Sequence, residues 1–296
     1  MKTLRRLWQG LALGAAVQSL VLADDTIPAL VLTSDAGKGD ALAVSGQFSR
    51  AVPGELRYAD RASLLALPGV TRLRERPWVM MPEADLTVVP LATVVGALVP
   101  QGDADAILLR CSDRWESVLP LSFLASHQPY LLLLHNGKSP EQGWPMFSRV
   151  EGLAPYYVNV SEKAHPGFKG VIDTGMISAT QVVEIRAINL QRHFAPLYAG
   201  TWEKLSEEAS AGRAIFVRHC NNCHQAQGVG GNTSQRPLVL LQTHATHNPQ
   251  FFRTMVTQPK SVYPDTVMPP HPFDDVTFIR LIQFLRETLA LSQTAP

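Results

Sequence analysis

Cys220-Asn221-Asn222-Cys223-His224 is the stretch that decides how this 296-residue chain is read. Two thiols at that spacing reach the two vinyl groups of one porphyrin as thioethers, and the histidine that follows reaches the iron from the proximal side. A structural zinc half-site and a redox dithiol are the competing uses of the same residues. Zinc asks for further ligands of similar type, and the sequence holds no second cysteine pair. A thioredoxin-like dithiol asks for a βαβ setting that is absent around the motif. One covalently held haem c is therefore the expected cofactor.

Met268-Pro269-Pro270 lies 44 residues beyond His224. A thioether is a soft ligand that favours Fe(II) and raises the potential, so a His224/Met268 pair suits an electron carrier. The prolines stiffen the segment, because φ is fixed and no amide hydrogen is offered. Met255, His271, His244 and His247 are the rival sixth ligands, and bis-histidine ligation through His271 stays open. Pro237-Leu238 follows a loop holding Gly228, Gly230 and Gly231. A backbone carbonyl there is placed to accept the second N–H of the proximal imidazole and fix its orientation. His219 reads as a residue at the solvent edge. A terminal helix is predicted from about Asp274 to Leu289, with Phe278, Leu281, Ile282, Leu285 and Leu289 at helical spacing. Asn248-Pro249 reads as the cap and first-turn proline of a short helix through about Val256.

On these residues the segment from about Ser206 to Leu291 resembles a class I cytochrome c. The resemblance implies an all-α haem domain in which a first helix, here carrying Gly212 and Phe216, crosses the terminal helix near the haem edge. Phe284 or Phe278 would be the aromatic partner.

Residues 1–23 read as a secretory signal peptide. Lys2, Arg5 and Arg6 precede an apolar run from Leu11 to Leu22, and Val21-Leu22-Ala23 supplies the cleavage-site residues. The run is short for a membrane span, and no cysteine follows it for lipid attachment. Periplasmic localisation is expected, with no stable membrane span after cleavage. Removing those residues leaves 23 Lys+Arg against 25 Asp+Glu, a near-neutral chain without the basic footprint of a nucleic-acid binder. With two cysteines committed to haem, Cys111 is left alone, and no disulfide holds the N-terminal part.

That part, residues 24–196, reads as α+β and mostly β. Strands are predicted at Ala41–Phe48, Ala106–Cys111, Val118–Leu124, Tyr130–Leu134, Tyr156–Val160 and Gln181–Ile188, with a strand running into a helix over Leu86–Leu98. A short helix is predicted within Tyr58–Leu67 and a tight turn at His135-Asn136-Gly137-Lys138. Ser63-Leu64-Leu65-Ala66-Leu67-Pro68, Asp113-Arg114-Trp115 before Leu119-Pro120-Leu121, and Asn136-Gly137-Lys138 leading to Gly143-Trp144-Pro145 are the framework motifs. On them the stretch Ala41–Ile188 resembles the molybdopterin-binding domain of the sulfite oxidase-like family. In that family a cysteine thiolate binds molybdenum ahead of the segment matching Leu91–Leu98. Here Thr71–Pro82 has no cysteine, and Cys111 comes too late. The resemblance thus implies a scaffold without its metal, and no molybdopterin is expected. Cys111 reads as a buried side chain before a reactive or metal-binding thiolate, and Trp115 and Trp144 as core residues before lining of the old cofactor cleft, while His127, His135, His165 and His193 show no ligand spacing.

The expected architecture is two domains: an N-terminal α+β, sulfite oxidase-like scaffold (24–196) and a C-terminal all-α cytochrome c fold (206–296), joined by a linker at 197–205. The expected function is a periplasmic carrier of one electron, more an electron-transfer protein than a catalyst, with the N-terminal domain docking a redox partner protein. A molybdopterin-dependent oxidoreductase feeding its own haem and a ligand-sensing module with haem readout are the alternatives.

Overall fold

The computed structural model describes residues 30–37, 40–51, 54–77, 81–146, 152–233 and 236–294. The proposed signal peptide lies outside the described residues.

Along the chain, β1 (Leu42–Gly46), β2 (Arg57–Ala59), helix α1 (Arg61–Leu65), β3 (Thr71–Glu75) and β4 (Ala84–Pro90) lead directly into α2 (Leu91–Leu98). Then come β5 (Ala106–Cys111), β6 (Glu116–Pro120), α3 (Leu121–His127), β7 (Tyr130–His135), β8 (Tyr157–Asn159), β9 (Val171–Ile172), β10 (Gly175–Met176) and β11 (Val182–Ile188). The rest is helical: α4 (Leu190–Phe194), α5 (Glu207–His219), α6 (Leu238–His247), α7 (Pro249–Thr257), α8 (Pro259–Val262) and α9 (Asp275–Thr294).

The strands form three sheets. A five-stranded sheet has the order β2-β1-β11-β5-β6, with β1 parallel to β11 and every other neighbour antiparallel. A four-stranded antiparallel sheet has the order β3-β4-β7-β8, and β9 pairs with β10. One strand prediction is corrected and one strand was not predicted. The strand expected at Val118–Leu124 stops at Pro120, and Leu121–Leu124 opens α3; a short apolar run does not by itself separate strand from helix. Thr71–Glu75, an edge strand rich in charge, has too few apolar residues to have announced itself.

The expected fold class is also corrected, by β5. Its side chains alternate between two cores, as a strand's must. Ile107, Leu109 and Cys111 enter the main core with Leu42, Val44, Val95 and Ile185. Ala106 and Leu108, with Val118 of β6, enter a second core containing Phe216, Phe278, Leu281, Phe284 and Leu285 from the helices. The helices use the outer face of the five-stranded sheet as their floor. The described chain is therefore a mixed α/β structure, and its C-terminal third is not a free-standing all-α cytochrome. The unbroken apolar run Ala106–Leu109 is what a strand covered on both faces requires. Residues 197–205 belong to the same packing: Ala195–Tyr198 and Gly200–Lys204 are 3₁₀ turns, and their Leu197 and Trp202 are buried in the shared core.

Within the helical layer α5 crosses α9 at Gly212. A Cβ at that position would overlap the carbonyl oxygen of Arg280 and Cβ of Phe284, so only glycine permits the approach. Phe216 packs on Phe284 with ring centroids 5.4 Å apart, and Trp202 meets Phe284 edge-on at 5.2 Å.

Candidate functional site

Helix α5 delivers the Cys220–His224 motif. Ser206 caps its start, accepting from Ala209 N at 3.2 Å, and donates its own hydroxyl to Glu287 of α9 at 2.6 Å. At the other end Cys220 N donates to Phe216 O at 2.8 Å, and both Cys223 N and His224 N donate to Cys220 O, at 3.1 and 2.8 Å. The chain thus turns tightly, and Cys220, Cys223 and His224 line one cleft.

The two asparagines between the cysteines hold this turn in place. Asn221 is buried, and its Nδ2 donates to Val229 O at 2.9 Å while its carbonyl accepts from Gly231 N at 2.9 Å. Asn222 reaches the sheets. Its Nδ2 donates to Glu116 O (2.6 Å) and Met176 O (3.1 Å), its Oδ1 accepts from Met176 N (2.9 Å), and its carbonyl accepts from Glu116 N (3.2 Å). Asn232 N adds a bond to Arg114 O at 2.9 Å. Gly175 and Gly231 leave the room for this contact, since a Cβ at either would overlap atoms of Asn222. Arg218 of α5 also pairs with Asp173, ahead of β10.

The cleft has a volume of about 210 Å³ and opens in part to solvent. Leu240, Leu241, Phe251, Phe252, Val256 and Val267 make much of its wall. Met268 lines it too, half-buried, with its amide donating to Thr266 Oγ1 at 3.2 Å. Of the rival ligands, Met255 and His244 face the same cleft. His271 does not line it: it is buried against His219 and Phe273, at 5.6 and 5.5 Å, and its amide donates to Val256 O at 2.9 Å. His247 is exposed at the end of α6 and is not part of the lining. His219 is half-buried and packs on Phe273.

No protein-family model matches this sequence, and no curated protein matches it significantly. The chemistry of the cleft has to be read from its own residues.

Burial pushes the His224 imidazole down to about 4, helped by the Arg236 guanidinium and opposed by a hydrogen bond to the Arg236 backbone. The ring is neutral at neutral pH, which is the form that binds a metal. The backbone partner belongs to Arg236, one residue before Pro237; Pro237 itself opens α6. Burial pushes the Cys220 thiol up to about 12. Among the described residues no group of three or more His, Cys, Asp or Glu side chains is placed to hold a metal ion.

The far wall comes from the sheet side: Asp113 and Trp115 from the β5–β6 turn, with Ser178 and Thr180 from the segment after β10. Sequence reasoning weighed Trp115 as a core residue or as lining a cofactor cleft; it packs against the main core and also lines this cleft. Trp115 follows a turn whose Asp113 Oδ1 accepts from Trp115 N at 3.0 Å, and burial raises the Asp113 carboxyl above its ordinary range. Trp144 lies elsewhere, packed in the core of the four-stranded sheet with Nε1 donating to Lys138 O at 2.7 Å. Cys111 is buried at the end of β5; burial first, then the carboxylates of Asp113 and Glu116 and the nearby Cys223, keep its thiol protonated.

A tetrapyrrole fits this residue set by the chemistry of its donors: two cysteines, a neutral histidine and a methionine line one apolar cleft.

Proposed function

We propose that this chain is an electron-transfer protein that carries one haem c in the cleft and works in the periplasm, exchanging one electron at a time with a redox partner protein. The haem would be held by Cys220 and Cys223 as thioethers, with His224 and Met268 as ligands to its iron. When bound, its iron supplies the one-electron chemistry. The chain's own residues supply the rest. The buried, neutral imidazole of His224 offers a lone pair, and the backbone of Arg236 orients the ring. Leu240, Leu241, Phe252 and Val256 exclude water, which holds down the reorganisation that accompanies a change of charge. Met268, tethered by Thr266 and followed by two prolines, is a soft ligand that favours the reduced iron.

The observation that carries this reading is the shared cleft: the Cys220–His224 motif and Met268, 44 residues beyond it, line one space. No helix of the described residues is long and apolar enough to cross a membrane.

The test is metal analysis and spectroscopy of protein matured in a host competent for both haem attachment and molybdopterin synthesis. Iron near one per chain, covalently retained after denaturation and without molybdenum, is expected. Met268→Ala should then change the ligand-field spectrum and lower the potential. An unchanged spectrum would remove Met268 from the iron and turn attention to Met255 or His244.

A further inference from the structure

Both polar atoms of the Asn222 side chain are engaged by the sheets, one residue before a thiol and two before the His224 imidazole. Glu116, the first residue of the edge strand β6, donates its N–H to Asn222 O at 3.2 Å and accepts from Asn222 Nδ2 at 2.6 Å. Met176 of β10 is gripped in the same two-handed way, its N–H donating to Asn222 Oδ1 at 2.9 Å and its carbonyl accepting from Nδ2 at 3.1 Å. Asn222 is thus a rung between the open edges of two sheets. The β9–β10 hairpin is itself fastened to β6: Ser117 Oγ donates to Met176 O at 2.8 Å, and Thr174 Oγ1 to Val118 O at 2.6 Å. The exposed Arg218–Asp173 pair beside it adds little, as ion pairs in water do.

The arrangement selects the residue type. A short primary amide offers an acceptor and two donor hydrogens in one plane. Aspartate would turn an oxygen toward the carbonyls of Glu116 and Met176, and alanine would leave both strand edges unpaired. On the sheet side a Cβ at Gly175 would overlap Asn222 Oδ1. The constraint passes along the turn: Cys223 N and His224 N both donate to Cys220 O, so a shift of Asn222 carries Cys223 and His224 with it.

We propose that Asn222 is a positioning residue for the His224 ligand: through it β6 and β10 set where the imidazole stands, and the sheet-bearing part of the chain thereby tunes the haem potential. The inference rests on the haem reading above and deepens it.

The test uses the full haem-bearing chain. Asn222→Ala should lower the midpoint potential, because a motif released from the sheets admits water that favours the oxidised iron. It should also shift the hyperfine-displaced proton resonances of His224 in the oxidised protein. Gly175→Ala presses on the same contact without touching the motif's own residues, and should move both readouts in the same sense. Asn222→Ser keeps one hydroxyl toward Met176 and should fall between wild type and Asn222→Ala, which keeps the test decisive if the harsher variants fail to mature. Trp144→Phe, in the core of the four-stranded sheet, should lower the thermal midpoint and leave potential and resonances unchanged. Unmoved potential and resonances in Asn222→Ala overturn the assignment, as they do in Asn222→Ser where the alanine variant does not mature. An equal shift in Trp144→Phe overturns it too, since general loosening would then explain the effect. Covalent haem absent from the wild-type chain would sink the haem reading itself, so the two failures are told apart.

Discussion

His193 shows what one buried side chain does to the pH response of the molecule. It sits in α4 against Phe194, its Nε2 is buried without a partner, and burial, with the charges of Arg110 and Arg186, pushes it down to about 4. The folded ring stays neutral over a range in which the unfolded chain, near pKa ~6.5, takes up a proton. The unfolded state therefore binds more protons between about pH 6.5 and 4, and stability falls as the pH falls through that window. The effect is on the order of 3 kcal/mol for a shift of that size. His193→Gln should lose less stability than the wild type between neutral pH and about pH 4.5, measured as urea midpoints. Parallel losses in the two proteins would mean that the ring is not kept neutral. Nothing in the sequence around His193 gives this away, because its burial depends on the sheet beneath it.

At the scale of elements the decisive contact is α5 on α9, and Gly212 is its pivot. Gly212→Ala forces a methyl group into the carbonyl of Arg280, so the helices have to part. Overpacking of this kind costs about 1–3 kcal/mol. The expected result is a lower thermal midpoint, with Phe216 and Phe284 moving out of contact. An unchanged midpoint would show that the helices can slide apart freely. Much at this scale is legible in the sequence. Asn248 caps α7 by accepting from Phe251 N at 3.2 Å, Asp274 accepts from Thr277 N at 2.7 Å to start α9, and the strand-to-helix passage at Pro90–Leu91 is where the pattern puts it. These features rest on local chemistry, caps and periodicity, which neighbouring residues encode. The convergence of Cys220, His224 and Met268 is half legible: the motif announces the first two, but only packing shows that Met255 and His244 share the space. That the turn carrying Trp115 meets the haem-motif loop was not legible, because it depends on a contact between residues more than a hundred positions apart, Glu116 with Asn222. Periodicity alone could not reveal that β5 serves two cores, since an apolar run says that both faces are covered and not by what.

For the whole molecule, the second core joins sheet and helices into one packed body, with Ala106, Leu108 and Val118 on one side and Phe216, Leu281 and Phe284 on the other. A chain built as two independent domains would melt in two steps. This one should unfold in a single transition, with far-UV circular dichroism and tryptophan fluorescence tracing the same curve. Separate midpoints for the two signals would contradict the shared core. Because Asn222, between the two cysteines, is itself bonded to strands β6 and β10, the order of events in biogenesis is constrained. Once those bonds form, the turn that carries the motif is tied to the sheet, and the Cys220 thiol, with its pKa pushed up to about 12, is protonated and poorly nucleophilic. On the haem reading, thioether formation is therefore expected to run ahead of the docking of β6 and β10 on the motif.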